Sequence, residues 1–191
     1  KIIGDLSSQL NLKIKPIGID LVNHIDKDKR IKFIKKDALS FFINNKQKFD
    51  LILIKQTIHL LSLNSIKKLV KECKKNLNTD GKIFIFTLDP FKNEIPSFEL
   101  MKKKLKRSLK RDEMILKFLS QLNSSKNPKK FFYKVKITKK KYLKMIQNRF
   151  ISTLLPMTKK QISNGIKEID LKFNKILKFN DNLICIILKK N

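Results

Sequence analysis

The sequence predicts a single α/β domain in which helices flank a mainly parallel β-sheet. Apolar strand-like segments alternate with amphipathic segments over the first half of the chain, a rhythm typical of right-handed βαβ crossovers. The 191 residues are 41% hydrophobic and 32% charged, a balance typical of a globular chain with one core. No internal repeat or second domain boundary is apparent.

The alternation begins with an amphipathic helix that carries Ile2, Ile3, Leu6 and Leu10 at helical spacing. The predicted strands are 13–20, 31–34, 49–54 and 82–87, and the later predicted helices are 40–45 and 65–77. Segment 49–54 is almost continuously apolar, which predicts a strand buried on both faces. Ser62 and Asn64 are both available as the N-cap of helix 65–77. Segment 78–81 ends in glycine and predicts a turn.

The second half of the chain predicts longer helices and two strands. Segment 97–122 predicts a basic helix with an apolar stripe, 123–130 a loop, and 132–137 a strand. Thr138 is expected to cap a helix that runs to about Phe150, and a further helix spans 159–173. The last strand is predicted at 176–189, with a turn or bulge at 180–182.

The formal net charge of +29 permits two explanations. Fourteen phenylalanines, a single alanine and no tryptophan are typical of an AT-rich genome, in which lysine fills exposed positions. A basic chain also binds nucleic acid or an anionic membrane surface through counterion release. A nucleic-acid partner therefore stays open as an alternative.

Targeting and cysteine signals are absent from the sequence. The longest apolar run near the end, 183–188, is far shorter than the roughly 20 residues of a membrane span. Cys73 and Cys185 lie far apart and form no CxxC or Cys/His cluster, so no metal site is predicted. These features indicate a reducing compartment, the cytoplasm, with the nucleus also open. They predict no oligomeric state.

Polar side chains end the predicted strands. Asp20 ends strand 13–20, where a carboxylate can accept both hydroxyls of a ribose, and Gly18 allows close packing beside it. Asp37 and Ala38 follow strand 31–34, where a carboxylate can accept an amine and a small residue leaves room for a purine. Cofactors in open α/β sheets bind outside these carboxyl ends. Each aspartate could equally be a helix cap.

The next strand end contributes a third polar group. Lys55, Gln56 and Thr57 follow segment 49–54 and are expected to face the same crevice, with His59 slightly further on. Gln56 and Thr57 could also be ordinary loop residues, and His59 could be a packed or capping histidine.

In these motifs the chain resembles the class I S-adenosylmethionine-dependent methyltransferases, particularly the broad type-11-like group. IGID resembles the family's second-strand motif, IKFIKKDA its third and FDLILIKQTIHLL its fourth. LNTDGKIFIF is similar to the lead-in to the fifth strand, with Thr79-Asp80-Gly81 in place of Pro-Gly-Gly. Segments 132–150 and 176–190 resemble the last two strands with their helices.

The resemblance implies a Rossmann-like sheet of strand order 3-2-1-4-5-7-6 with its last strand antiparallel, and S-adenosyl-L-methionine as the cofactor. It implies that Asp20 holds the cofactor ribose and that Leu21 packs on the adenine. Asp37 would take the adenine amine, the backbone near Ala38 a ring nitrogen, and Gln56 would lie near the methionine end.

One part of the family pattern is missing. The first strand and its GxGxG loop are expected immediately before Lys1, because about 20 residues separate such a loop from the ribose acid. We therefore expect 1–191 to be one methyltransferase domain that is incomplete at its N-terminus, with 97–130 as a helical insertion or lid.

Missing motifs narrow the expected reaction. The chain has no [DN]PP[YF] run after 49–54, no Pro-Cys pair and no metal-ligand spacing, which disfavours amino-methylating nucleic-acid enzymes, cysteine-attack enzymes and metal-assisted enzymes. Direct methyl transfer remains, for which positioning matters most. His59 is the candidate base, and Tyr142 and Arg149 are candidate acceptor contacts.

A small molecule is the expected acceptor. RNA or protein docked on helix 97–122 is an alternative, and so is a non-catalytic subunit. A nicotinamide dehydrogenase is a rival fold, disfavoured by the long closing strand and by the lack of a Tyr-x-x-x-Lys pair.

Overall fold

The order of helices and strands confirms the predicted alternation. A computed structural model describes residues 2–23, 28–122 and 128–190. The helices are α1 (Ile2–Gln9), α2 (Ala38–Asn44), α3 (Leu63–Lys75), α4 (Glu99–Gln121), α5 (Lys139–Gln147) and α6 (Lys159–Lys172). The strands are β1 (Ile17–Asp20), β2 (Lys32–Lys35), β3 (Phe49–Lys55), β4 (Leu77–Leu88), β5 (Lys129–Thr138) and β6 (Ile176–Lys189). Two short 3₁₀ turns lie at Ile58–Leu60 and Ser152–Leu154. The loops predicted at 21–29 and 123–130 fall partly outside the described residues.

The strands form two sheets rather than one. β1 and β2 pair in parallel, and a separate sheet has the order β3-β4-β6-β5. β3 and β4 are parallel, whereas β6 is antiparallel to both β4 and β5, as expected for the closing strand. The order predicted for a single sheet is not confirmed, because no described strand hydrogen-bonds β1 to β3.

One hydrophobic core joins the two sheets. Ile17 and Ile19 of β1 and Ile34 of β2 pack against the cluster that the second sheet builds with α2, α3 and α4. The fully buried members of this cluster include Ile58, Ile66, Cys73, Leu77, Ile83, Ile85, Leu119 and Leu188. Burial of apolar side chains therefore holds β1 and β2 beside β3.

A second core lies under the remaining helices. Its buried members are Phe98, Met101, Tyr142, Ile146, Leu154, Met157, Ile162, Ile169 and Leu177. These residues come from the start of α4, from α5, α6 and β6, and from the loops beside them. Helix α4 spans both cores, since Met101 belongs to the second and Ile115 to the first.

The expectation that β3 is buried on both faces was wrong. Ile52 is its buried residue, and Leu51 is 39% exposed. β3 is an edge strand of its sheet, and only the face that carries Ile52 is well covered.

The turn predicted at 78–81 is instead a bulge inside β4. Phe49 pairs with Leu77, but Leu51 pairs with Lys82, so four residues of β4 stand opposite Asp50. Gly81 has no positive φ. It allows a close approach, since a Cβ there would lie 2.8 Å from the Phe49 carbonyl oxygen. The turn or bulge predicted at 180–182 is also absent, because β6 keeps its register through these residues.

Candidate cofactor and acceptor site

Asp20 ends β1 at the carboxyl edge of the small sheet. Its carbonyl oxygen accepts a hydrogen bond from the Lys36 amide at 3.0 Å, which aligns the ends of β1 and β2. Its carboxylate accepts the Val22 amide at 3.0 Å, which turns the chain away from the sheet. Leu21, expected to pack on adenine, is 65% exposed.

Gly18 permits close packing, as the sequence suggested. A Cβ at this position would stand 2.9 Å from Cδ1 of Ile31. A larger residue would require the Ile31 side chain to move.

Asp37 caps α2 and lies at the adjacent strand end. Its Oδ1 accepts the Ser40 amide at 2.8 Å, the ordinary geometry of an N-cap. Ala38 is the first residue of the helix and is half-buried. Asp37 is therefore a helix N-cap, and capping occupies one of its two carboxylate oxygens.

Gln56 leaves β3 in a strained conformation. Its φ is 52°, in the left-handed region that a residue with a side chain seldom adopts. A hydrogen bond of 2.8 Å from its amide to the Phe86 carbonyl oxygen holds it there. Lys55 Nζ donates to the Gln56 side-chain oxygen at 3.4 Å. Strain of this kind is common at binding sites.

His59 connects the site edge to the second core. It lies in the 3₁₀ turn after β3, and its Nε2 is 3.2 Å from the Ser152 hydroxyl of the other 3₁₀ turn. Burial lowers the pKa of His59, the Asp112 carboxylate opposes this, and Arg111 reinforces it. A neutral imidazole, able to accept a proton, is thereby favoured near neutral pH.

Asp112 is a buried acid that the sequence did not single out. It is 6% exposed. Burial raises its pKa, and the charges of His59 and Arg111 oppose this. A usable signal existed, because Asp112 lies seven residues from both Leu105 and Leu119 on the apolar stripe of α4. Ser152 gave no such signal.

The two candidate acceptor contacts have structural partners instead. Tyr142 is 1% exposed and donates to the Pro96 carbonyl oxygen at 2.6 Å, and burial raises its pKa. The Arg149 guanidinium donates to the carbonyl oxygens of Leu154 and Leu155. Tyr142 therefore belongs to the packing of the second core, and Arg149 ties the end of α5 to the 3₁₀ turn Ser152–Leu154 and the residue after it.

We also searched the described residues for a metal site, a reactive cysteine, a membrane-spanning helix and other grooves. Residues 2–23, 28–122 and 128–190 contain no group of three or more His, Cys, Asp or Glu side chains placed to hold a metal ion. Both cysteines are buried, and burial raises the pKa of Cys73 to about 12. No helix in those ranges is long and apolar enough to span a membrane. Two open grooves of about 470 and 980 Å³ border α6, and no predicted cofactor residue lines either.

Comparisons with known proteins identify the fold. No family model and no curated protein sequence matches the chain. A solved structure described as a methyltransferase from an antibiotic biosynthesis pathway of Anabaena variabilis matches with a TM-score of 0.54 at 13% identity, over 94% of this chain and 84% of that one. A type II methyltransferase of Anaeromyxobacter dehalogenans matches with a TM-score of 0.50 at 8% identity, over 98% and 86%.

A further similar structure is the plantazolicin methyltransferase BamL, solved with SAH and a triazolic desmethylPZN analogue. Its TM-score is 0.48 at 17% identity, over 98% of this chain and 74% of that one. With identities this low, the likeness concerns the fold alone. The chain has the α/β fold of the class I methyltransferases.

Proposed function

We propose that this chain is the larger part of an S-adenosylmethionine-dependent methyltransferase. The observation that supports this most is the sequence of strand ends in a methyltransferase fold, where Asp20, Asp37 and Gln56 follow β1, β2 and β3. A nucleoside offers two ribose hydroxyls and an exocyclic amine, all of which need acceptors. Two carboxylates at adjacent parallel strand ends match that demand.

The proposed residue roles are those that the resemblance to the methyltransferases implies. Asp20 accepts the ribose hydroxyls, and Gly18 keeps the neighbouring strand close. Leu21 covers the adenine, Asp37 accepts its amine with the carboxylate oxygen not used for capping, and the backbone near Ala38 reaches a ring nitrogen. Gln56 orients the methionine end.

The strand order of the family is part of this proposal. Numbered as in that family, the two sheets read 3-2 and 4-5-7-6, and one parallel strand between β1 and β3 would complete 3-2-1-4-5-7-6. The shared core already holds β1 and β3 in one body. We infer that residues 1–191 are one incomplete domain, and that the second core, together with helix α4, covers the acceptor.

When bound, S-adenosylmethionine would supply a methyl group on a sulfonium centre: the acceptor would bond to the methyl carbon, the sulfur–methyl bond would break, and the sulfur would leave as the thioether of S-adenosylhomocysteine. The enzyme positions the acceptor and removes its proton. His59 is the proposed base, oriented by Ser152 and electrostatically supported by Asp112. A site closed by the second core favours a small-molecule acceptor, because a cover excludes water from the reacting centre.

Calorimetric titration with S-adenosylhomocysteine tests the proposal on the longest version of the chain that its gene encodes. Asp20→Asn keeps an acceptor for the Val22 amide but loses the charge, so binding should weaken by about tenfold or more. Asp80→Asn, an exposed acid in the β4 bulge, is the matched control and should bind normally.

Two results would contradict this function. Absence of binding at millimolar ligand would leave a methyltransferase-fold subunit without a cofactor site. Unchanged affinity in Asp20→Asn would remove the ribose role. A glycine-rich loop encoded before Lys1 would favour the enzyme over the subunit.

A further inference from the structure

Exposed aromatic side chains gather at one edge of the molecule. Among the described residues, the aromatic side chains with large exposure are Phe91 (69%), Phe131 (46%), Phe132 (69%) and Tyr133 (71%). Three of these are consecutive residues of β5. We call Phe91 and Phe131–Tyr133 the aromatic strip. Most aromatic side chains are buried in folded proteins, so a cluster of exposed rings marks an interaction surface.

Strand β5 carries three of these rings, and Phe91 lies in the chain segment tied to β5 by Asp89. β5 is the edge strand of its sheet, and residues 129–134 are all exposed, so both of its faces are accessible near Phe132. Asp89 links Phe91 to β5, because its carboxylate accepts the Phe91 amide at 2.9 Å and lies 3.9 Å from Lys130 Nζ. Phe131 and Tyr133 share one face of β5, and Phe132 lies on the other.

Lysines flank the aromatic strip. β5 carries Lys129, Lys130, Lys134 and Lys136 and contains no acidic residue. Two described acids lie beside β5: Asp89, which is 4% exposed, and Asp181, which is half-buried and pairs with Tyr133. Glu94 is occupied by Asn180 and Asn182. The accessible charge along β5 is therefore positive.

The strip lies on the same sheet as the candidate site. The Phe131 ring centroid is 5.8 Å from that of Phe86 of β4, and Phe86 pairs with Lys55, which Gln56 follows directly. Strands β6 and β4 separate β5 from β3, so a ligand on β5 would have to cross both strands to reach the proposed methyl-transfer centre.

We propose that the aromatic strip binds single-stranded RNA. Unpaired bases stack on aromatic side chains, and lysines beside the rings contact the phosphates. Duplex nucleic acid fits poorly, because its bases are already stacked on one another. The proposal goes beyond methyl transfer, since RNA can be held on β5 whichever acceptor is methylated.

Fluorescence anisotropy with a labelled U12 RNA tests the proposal on the intact chain. Phe132→Leu combined with Tyr133→Leu preserves the charge and an apolar side chain but removes two stacking surfaces. We expect affinity to fall roughly tenfold per lost base contact, with an unchanged dependence on salt. Lys134→Gln with Lys136→Gln should instead make the salt dependence shallower.

Three controls keep the interpretation specific. Leu171→Ala removes a 90% exposed side chain of α6 and should bind U12 like the unaltered chain. Lys67→Gln with Lys68→Gln removes two exposed charges from α3 and should leave the salt dependence nearly unchanged. Circular dichroism checks that each variant is folded.

Other outcomes overturn the proposal. Equal affinity of the leucine pair and the unaltered chain, or equal binding of duplex RNA, would mean that charge alone attracts nucleic acid. A dimer in sedimentation that the leucine pair converts to monomer would make the strip a contact between two copies. Neither result depends on cofactor binding, so the methyltransferase proposal is tested separately.

Discussion

At the scale of single residues, Asp37 shows how one carboxylate can serve folding and binding together. Its Oδ1 caps α2 through the Ser40 amide, and the proposed adenine contact uses the other oxygen. Asparagine retains a capping oxygen but presents an amide nitrogen where the second oxygen was. Alanine removes both functions, so the pair of substitutions separates them.

We predict that Asp37→Ala lowers the free energy of unfolding by about 1 kcal/mol, the usual effect of losing an N-cap, and that Asp37→Asn lowers it by much less. Both should weaken binding of S-adenosylhomocysteine. Urea unfolding measures the first effect and calorimetry the second. Normal affinity in Asp37→Asn would leave Asp37 with only its capping role.

His59 is expected to titrate below ordinary histidine. Burial lowers its pKa from 6.5, and Asp112 opposes the change. We predict that Asp112→Asn lowers the His59 pKa further, because an attraction for the imidazolium is lost while burial remains. The chain has two histidines, His24 and His59, so proton NMR titration is readable once His24→Gln assigns the signals. An unmoved midpoint would contradict the electrostatic contact.

The same groups give opposite pH dependences of stability. A histidine whose pKa is lowered on folding stabilises the fold above its ordinary pKa of 6.5, and this contribution is lost as pH falls through the folded value. Asp112 has a raised pKa, so its contribution is present below its ordinary 3.8 and lost as pH rises. In Asp112→Asn, only the His59 contribution should remain, so the free energy of unfolding should fall as the pH drops below about 6.5.

At the scale of helices and strands, Gly165 of α6 packs against Phe98 at the start of α4. A Cβ at Gly165 would lie 2.6 Å from three atoms of the Phe98 ring, which is 1% exposed and has little room to move. Alanine ordinarily stabilises a helix by about 1 kcal/mol over glycine. Here overpacking, at roughly 1–3 kcal/mol, should exceed that gain.

We therefore predict that Gly165→Ala lowers the midpoint of thermal unfolding, whereas Asn164→Ala, at an exposed neighbouring position, raises it slightly. Differential scanning calorimetry compares the two. A stabilised Gly165→Ala would mean that α4 and α6 are less closely packed than described.

Helices and strands also show what local pattern can predict. Buried helix faces and the ends of β1 and β3 were predictable, because apolar spacing reports the period of each element. The β4 bulge was not, since it arises where four residues face Asp50 across two strands. Residues 78–81 have the composition of a turn but lie inside β4. The pairing of β4 with β3 on either side of them places them there, and local pattern does not specify that pairing.

At the scale of the whole molecule, the net charge of +29 opposes compaction. Few acids offset the lysines, and several of the ion pairs are exposed and weak, such as that between Lys117 and Glu113. We predict that raising NaCl from about 20 to about 200 mM increases the midpoint of thermal unfolding by about 2–4 °C, by screening repulsion equivalent to about 1 kcal/mol. A midpoint independent of salt would contradict this.

Some features of the candidate site depend on neighbouring residues in the sequence, and others depend on contacts between distant parts of the chain. Asp20, Asp37 and Gln56 were identifiable because Asp20 ends β1, Asp37 lies two residues after β2 and Gln56 directly follows β3, and parallel strands end at a common edge. The structure adds the strain at Gln56 and the double role of Asp37.

The sequence by itself determined the alternation of strands and helices, the polar strand ends and the likeness to methyltransferases, because all of these are carried by neighbouring residues. Only the tertiary structure decided the split into two sheets, the second core and the contact of His59 with Ser152, which lie 93 residues apart. It also showed that Tyr142 is buried and that the rings of β5 are exposed. Those properties depend on which surfaces meet in space, and hydrophobic periodicity specifies an inward face without naming its partner.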